Sequence, residues 1–330
     1  MGKELKVLVI RFSSIGDIVL TFHALRCLRE KHPNAEIHFL TKSRYAELLQ
    51  ASTFHDKTLF FEGDLMQTRS LIRKGNYTHI VDLHNNLRSR LLTIGIRRVH
   101  LSRFNKLNWE KWLFTRLKKN KLPNKHLVER YIEAFSELGV LNDSKNTLFF
   151  VPNEFKIDVN HYELAGNSFL AIALGAQYST KKFPVSSLIK VIEFYDLPIV
   201  LLGGHAEHED GKKIQAAFPQ KKIYNLCGEL SLLASASILS QAKTVLTNDT
   251  GLMHIAAMFD VPIVSIWGNT VPAFGMSSYR PGNEKSVKIH EVVGLNCRPC
   301  SKIGYQECPK GHFNCMQKQD VSAIAADIKV

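Results

Sequence analysis

The chain has 330 residues, 45% of them hydrophobic, and a mean hydropathy of −0.09. That is enough apolar material for two cores, and no apolar run approaches the roughly 18 residues a membrane-crossing helix needs. The net charge of +13 lies almost wholly in residues 1–150 and is densest over 88–130, where thirteen basic residues face only Glu110 and Glu129. Such a field attracts a polyanion, whether nucleic acid, an anionic membrane or an anionic substrate, and a solvated basic surface is the plainer alternative. The apolar cluster at 7–10 is too short for an export signal, so the six cysteines are expected as reduced thiols in the cytoplasm.

In chain order, residues 6–11 read as a strand. A Ser-Ser-Ile-Gly-Asp loop at 13–17 then enters a helix that runs to about Lys31 and ends before Pro33. Strands follow at 36–41, 57–61, 78–83 and 98–102, separated by helical patterns at 44–50, 65–74 and 86–94, the alternation of a parallel doubly wound sheet. Helices are expected at 108–119 and 126–138, the second stopped by Gly139. The polar stretch 142–167 reads as a connection.

A second alternation begins at strand 169–174. It continues through helix 185–195, strand 198–203, a polar helix to about Phe218, strand 223–227, helix 231–242, and strand, turn, helix and strand within 245–267, with a late strand at 287–293. The expected class is α/β, two Rossmann-like doubly wound domains facing across a cleft, 1–155 and 156–330.

Three places carry chemistry. The first strand-to-helix loop lacks the G-x-G-x-x-G of dinucleotide enzymes and instead places Asp17 at a strand's carboxyl end. There it can act as a general base, although by its position alone a helix cap or first-turn acid is the plainer reading. In the second domain Lys181 follows a strand and can meet a diphosphate, although adjacent lysines such as Lys181 and Lys182 are often only solvated. Asp249 reads as the cap of a helix whose start, Thr250 and Gly251, leaves first-turn amides open to an anion. No Asp-x-Asp pair is present to hold a metal on a nucleotide sugar, which suits a metal-independent reaction. Cys297, Cys300, Cys308 and Cys315, with His312, have zinc-like spacing in the first pair only, so buried or redox-sensitive thiols are the better reading.

These residues, taken together, resemble glycosyltransferase family 9, the bacterial lipopolysaccharide heptosyltransferases. The likeness rests on VIRFSSIGDIVLT at 9–21, VDLHNNLRS at 81–89, HLVERY at 126–131, KKFP at 181–184, TNDTGLMHIAA at 247–257 and CPKGHFNCM at 308–316. It implies a GT-B fold with the acceptor on the first domain and the nucleotide-sugar donor on the second. It also implies an inverting transfer of heptose from ADP-heptose to the anionic lipopolysaccharide inner core, by an enzyme peripheral to the cytoplasmic face of the inner membrane, without a cofactor or a nucleic-acid partner. Asp17 matches the family's catalytic base, Lys181 its diphosphate lysine, and Asp249, Thr250 and Gly251 its donor turn, with His254 following; Ser14, Gly16, Arg97 and Arg98 are assigned to the acceptor. Two positions depart from the pattern: Leu233 stands where relatives often carry an acid that reaches the ribose, and His84-Asn85 replaces Gln-Gly. The other readings are a family 9 enzyme with another sugar or acceptor, and a basic nucleotide- or membrane-binding protein without transferase activity.

Overall fold

The computed structural model describes residues 4–162, 164 and 169–328, so part of the expected connection, residues 163 and 165–167, lies outside the described residues. The chain divides into two compact units, one of residues 1–107 and 125–150, the other of 108–124 and 151–330.

The first unit is built on a parallel sheet of β1 (Lys6–Ile10), β2 (Glu36–Thr41), β3 (Lys57–Phe60), β4 (His79–Asp82) and β5 (His100–Arg103), in the order β3-β2-β1-β4-β5. Val7 to Ile10 are fully buried, as a central strand covered on both faces requires. Its helices are α1 (Ile15–Lys31), α2 (Ala46–Leu49), α3 (Leu65–Lys74), α4 (Leu87–Thr93) and α6 (Leu127–Glu133). α1 is buried at Gly16 and from Ile18 to Leu28, and packs against α6. The chain winds outward from β1 to β3, then crosses to the other side of β1 for β4. The sheet's switch point, where open α/β sheets bind ligands, therefore lies at the carboxyl ends of β1 and β4.

The second unit repeats that logic with six parallel strands, β6 (Leu170–Ala173), β7 (Ile199–Leu202), β8 (Ile223–Asn225), β9 (Thr244–Asn248), β10 (Ile263–Trp267) and β11 (Val287–Glu291), in the order β11-β10-β9-β6-β7-β8. Its switch point falls between β6 and β9. Helices α7 (Val185–Ile192), α8 (His208–Ala217), α9 (Leu232–Gln241), α10 (Gly251–Ala256), α11 (Asn314–Gln317) and α12 (Val321–Asp327) complete it, together with α5 (Asn108–Leu117).

Several elements differ from expectation for physical reasons. α5 falls with the second unit because Phe114 packs edge-on against Phe274 and the Lys118 ammonium donates to the carbonyls of Cys297 and Pro299. The helix expected over 126–138 stops at Glu133 and resumes as a 3-10 turn, Ser136–Leu138, closed by Gly139 at φ 67°. The stretch 44–50 is a 3-10 turn leading into the four-residue α2. β5 starts only at His100, since Arg98 has a φ of 60°, incompatible with a strand. α12, which the pattern did not show, brings Ile324 and Ile328 into the core beside Leu188 and Val191.

Candidate active site

At the switch point of the first sheet, β1 delivers Arg11 and the following loop delivers Asp17, the third residue of α1. Asp17 reaches back to accept the Ser14 backbone N–H (3.2 Å) and hydroxyl (2.8 Å) on Oδ2. Its Oδ1 takes the Arg11 guanidinium at 2.7 Å and the Tyr131 hydroxyl at 3.3 Å. Four donors fill the roughly four lone-pair sites of a carboxylate. Arg11 also donates to the carbonyls of Ser13 (2.8 Å) and Leu83 (2.7 Å), tying the β1 loop to the end of β4. Burial opposes the charge on Asp17, yet Arg11 and the two Ser14 bonds outweigh it and bring the carboxyl down to about 2. The Arg11 guanidinium, disfavoured by burial, is held above its ordinary value chiefly by Asp17.

Across the same switch point, buried Asp82 ends β4 and shapes the next loop, accepting the N–H groups of His84 (3.0 Å) and Asn85 (2.7 Å) and the Ser89 hydroxyl (2.7 Å). His84 rests against Phe12 with ring centroids 4.8 Å apart. Burial, then the charges of Arg11 and Lys106, push its imidazole down to about 3, so it is neutral at pH 7.

At the second switch point the two strands contribute opposite charges. The 3-10 turn Ser179–Lys181 follows β6, and the Lys181 ammonium lies 2.6 Å from Asp249, which follows β9. Asp249 is therefore not the cap of α10. Thr250 holds the cap position, and the Asp249 carboxylate takes Lys181 and the Thr270 hydroxyl (2.7 Å) instead. Lys182 is equally engaged, 2.6 Å from buried Glu207, so neither lysine is merely solvated. Asn248 locks the two strands together, donating to Leu174 O (3.0 Å) and accepting from Phe183 N (3.0 Å).

The Cys-rich segment braces this site. The Thr180 N–H, in the residue before Lys181, donates to Tyr305 O at 3.1 Å, and the Tyr305 N–H donates back to the Thr180 hydroxyl at 2.8 Å. Cys300 N–H donates to Asn269 O at 3.2 Å, and Arg298 to Thr270 O at 2.8 Å. Gly268 is required here: a Cβ would stand 2.6 Å from Thr180 O. Asn269 itself is 1% exposed, with both side-chain amide atoms unpartnered.

The sequence of the Tyr305 and Arg298 region matches a known pattern that extends well beyond it. The profile described as glycosyltransferase family 9 (heptosyltransferase) matches residues 66–309, well over half of the chain. The chain belongs to glycosyltransferase family 9. A curated relative, lipopolysaccharide heptosyltransferase 2 of Salmonella typhimurium, is 25% identical over 300 residues, spanning 82% of this chain and 84% of its own length. Among solved structures, E. coli ADP-heptose LPS heptosyltransferase II aligns with a TM-score of 0.67 at 21% identity, covering 98% of this glycosyltransferase and 99% of itself. An E. coli heptosyltransferase solved with ADP gives 0.67 at 20% identity, with the same coverage. The fold of this family 9 glycosyltransferase is thus the GT-B type of those enzymes.

Within this family 9 chain, Ser14 and Gly16 lie in the Asp17 loop, and Lys181, Asp249, Thr250 and Gly251 meet at one switch point. Arg97 and Arg98 do not join Asp17. They precede β5, on the amino edge of a sheet whose carboxyl edge carries the site, and are exposed there. Basic residues whose charge is felt by His84, at the carboxyl edge of the first unit, include Arg11, Lys106 and Lys42. His254 is 3% exposed within α10, and Leu233 is 0% exposed within α9, a core position whatever its counterparts carry. Cys297, Cys300, Cys308 and Cys315 are free thiols. Burial raises those of Cys300 and Cys315 to about 11, and Cys300 donates to Cys297 O at 3.0 Å. Among the described residues no set of three His, Cys, Asp or Glu is arranged to hold a metal, and no helix is long and apolar enough to cross a membrane.

Arg11, Asp82, Tyr131, Thr270 and Asn269 do not stand out in the sequence, and Asn248 reads there only as a turn or cap residue. The available signal was a charged or amide residue ending an otherwise apolar strand, as in VLVIR, HIVD and VLTN.

Proposed function

We propose that this glycosyltransferase moves a heptosyl group from ADP-heptose to a hydroxyl of the lipopolysaccharide inner core, with inversion at the anomeric carbon and without a metal, at the cytoplasmic face of the inner membrane. The names of its relatives support donor and acceptor; the observation that carries the chemistry is Asp17, an anionic carboxylate at the first switch point. In the step, the acceptor oxygen bonds to the anomeric carbon as the bond from that carbon to the diphosphate oxygen breaks. ADP leaves with the electron pair, and the hydroxyl proton passes to Asp17. A carboxyl near 2 is a weak base, but the attacking hydroxyl becomes strongly acidic as its oxygen bonds to carbon, so a late proton transfer suffices. The acceptor hydroxyl gains access to Asp17 by displacing its longest contact, Tyr131. Charge growing on the diphosphate is met by Lys181 and the amides at Thr250 and Gly251.

The test supplies ADP-heptose, ADP-glucose or UDP-glucose with an inner-core acceptor, follows nucleotide release and reads the anomeric configuration of the product by NMR. Transfer from ADP-heptose with inversion supports the reading. Faster transfer from another nucleotide sugar replaces the donor, and retention removes Asp17 from the role of base.

A further inference from the structure

α5 turns its two tryptophans outward. Trp109, Trp112 and Arg116 share one face at spacings of three and four, and that is the exposed face: Trp109 is 65%, Trp112 45% and the adjoining Leu117 51% exposed. The two indoles stack with centroids 5.0 Å apart and planes 12° from parallel. Nothing in this packing buries them, and none of the helix's residues is buried. The helix is nevertheless held firmly from behind by Phe114 on Phe274, Lys118 on the carbonyls of Cys297 and Pro299, and Lys302 on Asn108. Arg116, Lys119 and Lys121 are exposed around the aromatic pair.

We propose that this face of α5 is a docking surface for an anionic phospholipid bilayer, with Trp109, Trp112 and Leu117 entering the headgroup boundary and Arg116, Lys119 and Lys121 meeting lipid phosphates. Indoles are suited to that boundary, apolar in body with one polar N–H, and cations beside them draw the helix to a negative surface. Charge complementarity selects this occupant over a second copy of the chain, which would set a second Arg116, Lys119 and Lys121 against the first. The inference deepens the proposed function, because it rests on an acceptor carried by a lipid.

The chain's third tryptophan, Trp267, is 1% exposed, so any change of indole emission on membrane contact reports α5. The experiment titrates the full chain with phosphatidylglycerol/phosphatidylcholine vesicles and with phosphatidylcholine alone, following emission, quenching by brominated lipids and co-sedimentation. Expected are a blue shift and quenching with the anionic vesicles only, weakened by salt. Partitioning should fall roughly tenfold or more in Trp109→Ser/Trp112→Ser and about fivefold for each of Arg116→Gln, Lys119→Gln and Lys121→Gln. Transfer to an acyl-free, water-soluble acceptor should be unchanged in all these variants. Parent-like vesicle binding by the Trp variant, unquenched indoles, or a concentration-dependent dimer that the Trp variant abolishes would each overturn the proposal. Failure of the unmodified enzyme to transfer to the acyl-free acceptor would instead count against the reaction, leaving the vesicle titration to judge the surface by itself.

Discussion

The ion pairs Arg11–Asp17 and Lys181–Asp249, at the two switch points, are built in opposite sense. In the first, Asp17 is the more open partner, its side chain 17% exposed against 9% for Arg11; in the second, Lys181 is the more open, 17% against 8% for Asp249. Each sheet therefore presents one charge and buries its counter-charge behind it, the anion in the first unit and the cation in the second. The bonding differs as well. Arg11 is planar, permanently charged and tied to two carbonyls as well as to Asp17, a fixed frame that keeps the carboxylate anionic. Lys181 is a point charge on a flexible stem, and its partner Asp249 keeps the Thr270 hydroxyl if the ammonium turns away to a diphosphate. The lesson is that a fixed pair suits a group that must stay charged and oriented, while an exchangeable pair suits one that must change partners.

The comparison breaks most visibly at Asp17. Asp17→Asn keeps the size and much of the capping ability, so single-turnover transfer at saturating substrates is expected to fall roughly 100- to 10,000-fold while ADP binding and folding persist. Near-normal transfer, or a loss wholly explained by unfolding, would return Asp17 to a purely structural role.

Lys181→Met is the next largest. It removes a charge-assisted partner of the diphosphate and is expected to weaken ADP binding by roughly 10- to 100-fold in calorimetry. It also leaves Asp249 with one partner fewer in a buried setting, so the melting temperature should drop. Adding Asp249→Asn should recover stability without recovering ADP affinity. Recovery of both would mean that the pair acts only as a brace.

The fixed pair is sharpened by pH. The Asp17 carboxyl is lower in the folded chain, about 2, than in the unfolded one, so its ionisation stabilises the fold above pH ~4 and that contribution is lost as pH falls from there through about 2. In Arg11→Met, burial acts on Asp17 without its main opponent and the carboxyl rises. The acid limb of the transfer rate should then move upward by about one pH unit or more, read from single-turnover profiles. An unmoved limb would show that Ser14 alone fixes the acidity.

The smallest expected effect is none at all. ADP at 100 times its dissociation constant should stabilise the second unit by about 2.7 kcal/mol, equally with and without EDTA, because Lys181 and the donor-turn amides supply the positive charge. A thermal shift abolished by EDTA would bring a metal into the donor site.

Much of the scaffold was legible because buried parallel strands are continuous apolar runs and amphipathic helices keep their period. β2 and α3 fall on the residues their patterns marked. The placement of Asp17, Lys181 and Asp249 at strand ends was legible for the same reason. Their partners were not. Asp17 meets Tyr131, and Lys181 meets Asp249, across spans of sequence that no local pattern links. Arg97 and Arg98, which precede β5 on the amino edge, show what a charge run leaves open. A dense charge run marks a surface, but only strand direction tells which edge of the sheet it occupies. α12 escaped notice because its apolar face is only two turns long and is decided by what it packs against.

The brace formed by residues 298–305 also fixes the order in which the proposed donor site can mature. During synthesis Lys181 emerges more than a hundred residues before Tyr305, so a ribosome-bound chain holds the central strands of the second sheet while the turn bearing Lys181 still lacks its clasp. On the proposed function, nucleotide should therefore take no part in folding the nascent second unit, and the donor turn is complete only after residues 298–305 have cleared the exit tunnel.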